Sequence, residues 1–247
     1  MSLNDNIDAF VTYYGEHIQA AKSLDVGDKR SNLIYKKLLL SAIIDGMSKP
    51  FFPPLTRNNV TFTSFLQQFS DWSDGTRISL PHLLRFIDTV ADSALDQLKS
   101  FASERIATWL DGEFIPPNQD PDISEIQRAN LWPSGRRYPL GDWRVTLESF
   151  RHVNLFYAFR NSLAHELRPR GLGVEFPEDS EPYYISVSEL DSSLKLLPGR
   201  WTLIYPLAFF VDRAEKSLAK LGPHLTNHGI DPLSRLSIGD YWIDGLN

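Results

Sequence analysis

An arginine and a histidine separated by four residues carry the clearest chemical signal in this chain. They are Arg160 and His165, the two ends of the sextet Arg-Asn-Ser-Leu-Ala-His. Arginine is a permanent cation whose planar set of donors is suited to gripping a phosphate. Histidine exchanges a proton near neutral pH. The pair therefore predicts chemistry at a phosphodiester bond.

The sequence around this pair is strongly basic. Between Arg128 and Arg170 there are eight arginines, no lysine and three acids, a formal charge of +5 on a chain of net charge −6. Concentrated positive charge on an acidic protein indicates an anion-binding surface, although pairing with acids elsewhere is the alternative. We predict that RNA is bound by Arg136, Arg137, Arg144, Arg151, Arg168 and Arg170. Two aromatic residues beside the first two arginines, Trp132 and Tyr138, suit contact with a base.

The spacing limits how the pair can act. Positions five apart in an α-helix are rotated by about 140°, so Arg160 and His165 do not share one stripe. They converge either because His165 occupies the last turn, where Pro169 forces an exit, or because a second copy completes the site across a two-fold axis. His165 then moves a proton and Arg160 stabilises charge on the phosphate. Asn161 bonds the phosphate or orients His165. RNA supplies its own 2′-hydroxyl nucleophile, so neither metal nor cofactor is required.

Hydrophobic periodicity predicts a mostly α-helical protein that positions these residues. The motif helix runs from Asp142 to about Leu167, where Pro169 and Gly171 stop it. Two strands, 183–187 and 201–205, form a small antiparallel ribbon after it. The other predicted helices are 4–23, 31–48, 61–72, a long one at 81–110 with Ser79 as its cap, a short one near 123–129, and a last one at 206–221.

The sequence predicts one domain over 1–247, with a core at about 31–221 and an irregular, proline-rich insertion at 111–140. After the last helix we expect turns, including a loop at His224–His228. Their i, i+4 spacing would suit a metal on a helix, but Pro223 and Gly229 flank them.

Composition adds a few exclusions. The absence of cysteine excludes disulfides and thiolate metal sites and suits a reducing compartment. We see no signal peptide and no apolar run approaching the roughly 20 residues that span a bilayer. We therefore expect a soluble cytoplasmic protein that does not contact membranes. P-loop, dinucleotide-binding and nucleophile-elbow patterns are also missing from the sequence.

The eight residues Phe159–Glu166 resemble the R-x4-6-H signature of the HEPN family, in the form where a polar residue follows the arginine. The resemblance implies a helical bundle that dimerises and cleaves RNA without a metal. It assigns catalysis to Arg160 and His165, with Asn161 in support. It also implies a place in a toxin–antitoxin or antiviral defence system, with an antitoxin or signalling partner. One subgroup carries a tyrosine two places after the histidine as a modification site; Leu167 here argues against that subgroup.

Two other functions stay open at this point. A non-catalytic member of the same family would bind RNA or a nucleotide and signal through a partner. A helical interaction protein would use its arginines to meet an acidic partner.

Overall fold

The computed structural model describes residues 2–52, 56–168, 175–176, 179–188 and 199–235. Helices dominate these residues, accompanied by two small antiparallel sheets of two strands each, so the predicted mostly α fold with a β-ribbon after the motif helix is confirmed. None of the described helices is long and apolar enough to cross a bilayer. The α-helices are α1 (Leu3–Ser23), α2 (Lys29–Ser48), α3 (Asn58–Phe69), α4 (Leu80–Val90), α5 (Asp96–Ile106), α6 (Ile123–Arg128), α7 (His152–Glu166) and α8 (Leu207–His228). The strands are β1 (Tyr138–Leu140), β2 (Trp143–Val145), β3 (Tyr183–Val187) and β4 (Arg200–Ile204).

The chain divides into two compact units. One comprises residues 1–71 and 210–247, and the other comprises residues 72–209. All of the predicted catalytic and RNA-binding residues have numbers within the second unit. The single domain over 1–247 stays a prediction.

The first unit is built from amphipathic helices with clear start signals. Ser2 and Asp5 form a capping box at the start of α1, and the Asp28 carboxylate accepts from the Ser31 N–H at 2.7 Å to cap α2. The predicted third helix begins three residues early, as α3. The apolar stripes of these helices are buried, including Ile7, Phe10, Ile18, Leu40, Ile44, Met47, Phe62, Phe65 and Leu66.

The prediction of one long helix at 81–110 is wrong, because this segment forms two helices. Helix α4 ends at Val90, and Ala91 adopts a left-handed conformation with φ of 50°. The Asp92 side chain then accepts from the Ala94 N–H at 3.0 Å and starts a short 3₁₀ turn that leads into α5. A left-handed residue followed by an aspartate cap is a common way to end one helix and begin the next.

The motif helix also begins later than predicted, at His152 instead of Asp142. A β-hairpin occupies the missing turns: β1 pairs antiparallel with β2, and Leu140 faces Trp143 across a two-residue Gly141-Asp142 turn. Gly141 has φ of 57°, which glycine adopts at little cost in such turns. A 3₁₀ turn at Leu147–Phe150 follows, capped by Thr146, and α7 starts after it.

The predicted ribbon is confirmed as β3 paired with β4, with Tyr184 opposite Leu203. The last helix, α8, continues seven residues beyond the predicted Leu221 and contains Pro223. The loop expected at His224–His228 is therefore wrong. Leu225 is fully buried, so the apolar face of α8 continues past the proline, and packing outweighs the lost backbone hydrogen bond.

Candidate functional site

Helix α7 holds the predicted catalytic residues in place. Its apolar face, which includes Val153, Phe156 and Leu163, is buried. The helix ends because Leu167 adopts a left-handed conformation with φ of 51°, and its N–H bonds the Leu163 carbonyl at 3.2 Å. The side chains on the opposite face are thus carried on a helix that is fixed by its core.

Arg160 is half-buried and has a side-chain partner next to it in sequence. Its Nη1 donates to Asn161 Oδ1 at 3.0 Å, and its guanidinium lies 5.9 Å from the centre of the Tyr157 ring. The Asn161 side chain thus contacts the arginine, and the two roles expected for it, phosphate binding or orientation of His165, stay predictions.

His165 is exposed and lies in the last turn of α7. The helix is continuous from Arg160 through Glu166, so the two side chains leave it in directions about 140° apart. The chain turns away only at Leu167, after the histidine. The geometry therefore does not support the idea that Arg160 and His165 converge because the chain leaves the helix. The other prediction, a site completed by a second copy of the chain, stays open.

Five of the six arginines predicted to bind RNA lie in the described residues, and these five do not form one patch. Arg151 comes directly before α7 and Arg168 follows it, so about 22 Å of helix separates them. Arg151 is half-buried, whereas Arg168 is exposed and its Nε lies 2.7 Å from Glu166 Oε2. Arg170 lies outside the described residues.

The other three arginines lie on or beside the β1–β2 hairpin. Arg136 Nη2 lies 2.7 Å from Asp92 Oδ2, and the Arg136 guanidinium carbon lies 5.0 Å from the centre of the Tyr138 ring. Arg137 and Arg144 are exposed. A cleft of about 450 Å³ beside the hairpin is lined by Trp132, Ser134, Arg136, Arg137, Thr146 and Glu148, among others.

The prediction that the aromatic rings of Trp132 and Tyr138 contact a base is wrong. Trp132 and Tyr138 are buried and pack against Phe86, so neither offers a ring face to a base. The exposed aromatic residue of the hairpin is Trp143, at its turn, with 78% of its surface accessible.

A second and larger cleft, of about 600 Å³, also lies in this unit. Its two arginines are matched by acids: Arg105 pairs with Glu125, and Arg77 Nε lies 3.0 Å from Asp74 Oδ1. Matched charges make this cleft a weaker candidate for binding a polyanion than the hairpin surface.

A buried polar cluster was missed entirely by the sequence patterns. The Asp120 carboxylate accepts from the Tyr184 hydroxyl at 2.6 Å and lies 2.7 Å from His152 Nε2. The Tyr184 hydroxyl is also 2.7 Å from Ser79 Oγ, which in turn lies 2.7 Å from His82 Nδ1. Ser79 occupies the predicted N-cap position of α4, but its side chain joins this cluster and makes no capping hydrogen bond.

These contacts tie four separate segments together. Ser79 precedes α4, Asp120 lies in the proline-rich segment, His152 starts α7, and Tyr184 is on β3. The other oxygen of Asp120 accepts from the Leu80 N–H at 3.0 Å. Because these residues lie 32 to 105 positions apart along the chain, no local motif could have indicated them.

Four members of the cluster are closed to solvent, whereas His82 at its edge is half-buried. Ser79, His152 and Tyr184 have 0% of their surface accessible, and Asp120 has 1%. Burial, and next the Asp120 charge, raises the pKa of Tyr184 well above its ordinary value. Loss of solvation, and next the proximity of His152, lowers the pKa of His82 to about 4. A substrate cannot reach the four buried side chains, so we assign them a structural role.

Helix α8 brings two further histidines together in the first unit. His224 and His228 stack with ring centres 4.0 Å apart, and His228 Nδ1 lies 2.9 Å from the His224 carbonyl oxygen. In the described parts of the chain, however, no group of three or more histidine, aspartate and glutamate side chains is arranged to hold a metal ion.

Comparison with known proteins found no matching family model, no similar curated protein and no similar solved structure. The function therefore has to be inferred from the side chains of this chain.

Proposed function

We propose that this protein is a metal-independent endoribonuclease of the HEPN type, with Arg160 and His165 as its catalytic residues. The observation that carries the proposal is their setting on α7. The histidine is exposed in the last helical turn, and the arginine is held beside Asn161 at 3.0 Å. An accessible proton carrier and an oriented phosphate-binding cation are the two groups that this reaction needs.

The proposed step is an internal transfer within RNA. The 2′-hydroxyl loses its proton to a base and attacks the adjacent phosphorus. The bond from phosphorus to the 5′-oxygen breaks, and that oxygen takes up a proton. The products are a 2′,3′-cyclic phosphate and a 5′-hydroxyl, and no electrons leave the substrate. His165 moves the proton, and Arg160 stabilises the extra negative charge on the phosphate oxygens.

We propose further that the active unit is a homodimer with a composite site. Arg160 and His165 of one chain leave α7 on different faces, which disfavours a site built from one copy. A two-fold axis near the end of α7 would bring Arg160 of one chain close to His165 of the partner subunit. Asn161 holds the arginine in the orientation that the phosphate requires.

The proposal is tested by incubating the purified protein with fluorescently labelled single-stranded RNA in EDTA. We expect cleavage with cyclic-phosphate and 5′-hydroxyl ends, and loss of at least 100-fold in rate for the Arg160→Ala/His165→Ala variant. The matched control is Arg30→Ala/His17→Ala, which removes two exposed residues of the same types from the first unit. Equal cleavage by the double variant and the wild type would contradict the proposal.

A second candidate is a non-catalytic RNA-binding module. The exposed Arg137 and Arg144 on the hairpin favour it, because they do not depend on the α7 motif. It predicts RNA binding that weakens steeply with salt and leaves the RNA intact. An RNA affinity no better than that of a charge-matched control protein would instead favour an interaction protein with an acidic partner.

A further inference from the structure

The β1–β2 hairpin carries apolar surface that the rest of its unit does not cover. Tyr138 and Val145 are paired and buried at its base. Leu140 and Trp143 are the next pair on the same face, and 41% and 78% of their surfaces are accessible. Because side chains alternate along a strand, this face runs from the core directly out to the hairpin turn.

The opposite face of the hairpin carries positive charge. Arg144 pairs with Pro139 in the register, on the face away from Trp143. Arg137, one residue before β1, is also exposed. Within the described residues, neither side chain forms an ion pair, whereas Arg136 pairs with Asp92. The two exposed arginines therefore add positive charge to the hairpin. In the sequence, Arg137 precedes Trp143 by six residues and Arg144 follows it directly.

The hairpin thus carries an exposed aromatic ring on one face and, on the other, an arginine that forms no ion pair within the described residues, and this combination matches the chemistry of one partner in particular. Single-stranded nucleic acid presents flat base faces next to phosphates, and proteins bind it with aromatic platforms and basic grooves. In a duplex the base faces are stacked inside and cannot reach the ring. An acidic protein partner could use the same arginines and tryptophan, and an RNA affinity no better than that of a charge-matched control protein is the outcome that would favour it.

We propose that the β1–β2 hairpin is a binding site for single-stranded RNA. Trp143 stacks on a base at the hairpin turn, and Arg137 and Arg144 contact the flanking phosphates. The cleft of about 450 Å³ beside the hairpin, which Arg137 also lines, receives the next part of the strand. This inference rests on the proposed function for its choice of RNA and names the single-stranded form of that substrate.

The test measures binding of a fluorescently labelled 12-nucleotide RNA by anisotropy, in the Arg160→Ala/His165→Ala background so that cleavage cannot remove the probe. We expect Trp143→Ala to weaken binding by about 5-fold to 150-fold, the range for loss of one base stack. The control is Tyr13→Ala, which removes another exposed aromatic ring (54% accessible) from the first unit. Equal affinities for Trp143→Ala and its parent would overturn the inference.

The phosphate contacts are tested separately through the salt dependence. Removing both arginines (Arg137→Gln/Arg144→Gln) should reduce the slope of log affinity against log salt by about 1.4, since each contact to single strands contributes about 0.7. The control, Arg30→Gln/Arg85→Gln, removes two other exposed arginines and the same charge. If the control lowers the slope as much as the hairpin variant does, the arginines act only through net charge and the inference is wrong.

Two outcomes separate this inference from the proposed function. Hairpin-dependent RNA binding by a wild-type protein that does not cleave RNA would support the inference and contradict the endoribonuclease. Cleavage by wild type and Trp143→Ala with equal kcat/KM would support the endoribonuclease and contradict the hairpin site. Equal affinity for a duplex of the same length would also contradict the inference, because it requires accessible bases.

Discussion

The two ends of α7 each carry a histidine, and the two residues have opposite surroundings. His152 begins the helix with no accessible surface and lies 2.7 Å from the Asp120 carboxylate. His165 is in the last turn and is exposed. On one helix, His152 therefore has a structural role at one end, and His165 is the candidate proton carrier at the other.

This difference shows that residue type alone does not indicate a reactive site. A buried polar group must find partners inside the protein, and the Asp120 carboxylate has three of them. Such a network fixes a structure but excludes a substrate. The exposed end of α7 is the place where the proposed function puts RNA and a second copy of the chain.

The largest effect is expected at the buried end. The Asp120→Ala change leaves His152, the Tyr184 hydroxyl and the Leu80 N–H without their acceptor. We expect a loss of about 3–5 kcal/mol in the free energy of unfolding, measured by urea denaturation. The control is Asp122→Ala, two residues away and exposed, which should change stability by about 0.5 kcal/mol or less. Equal losses of unfolding free energy in the two variants would show that the cluster does not stabilise the fold.

A smaller effect is expected from acid. The folded protein lowers the pKa of His82 from its ordinary 6.5 to about 4, so the unfolded chain binds this proton first as pH falls. Stability should therefore decrease as the pH drops from about 6.5 to 4, by up to about 3 kcal/mol, and this contribution should be constant above that window. Urea titrations across the window measure it.

The matching variant for this pH effect is His82→Asn, which keeps a polar atom near Ser79 but cannot titrate. It should flatten the stability curve between pH 6.5 and 4, and the matched control replaces the exposed His17 by asparagine. An identical slope in wild type and His82→Asn would contradict the role given to His82.

The smallest change in stability is expected at the exposed end. His165→Ala removes a side chain with little buried surface and should alter the free energy of unfolding by about 0.5 kcal/mol or less. His152→Ala, thirteen positions earlier, serves as the comparison and should cost several-fold more. A loss for His165→Ala similar to that for His152→Ala would mean that both ends of α7 are structural.

Sequence patterns predicted the helices that have both a cap and an apolar stripe. Helices α1 and α2 lie within a few residues of their predicted positions because Ser2 and Asp28 cap them. The start of α7 was missed because Trp143 and Leu147 fit a helical period as well as they fit the hairpin and turn that they form. The Gly141-Asp142 pair is the local signal that would have identified that hairpin.

The candidate site was predictable only in part. A short motif indicated Arg160 and His165, and helical geometry correctly separated their directions. The contact between Arg160 and Asn161 joins neighbouring residues, but residue types alone do not give the side-chain conformations that form it. The exposure of Trp143 follows from its place at the hairpin turn, which the helical prediction for this segment missed. The cluster around Asp120 joins segments far apart in sequence, so no spacing along the chain encodes it.

The most direct test of the composite site mixes two inactive variants. Arg160→Ala and His165→Ala chains are co-expressed with different tags, and the mixed dimer is purified and assayed for RNA cleavage. If Arg160 acts with the partner's His165, one of the two sites in each mixed dimer keeps both wild-type residues. We therefore predict about half of wild-type activity per mixed dimer, and almost none from either variant alone. An active wild type with a mixed dimer as inactive as its parents would contradict the shared site.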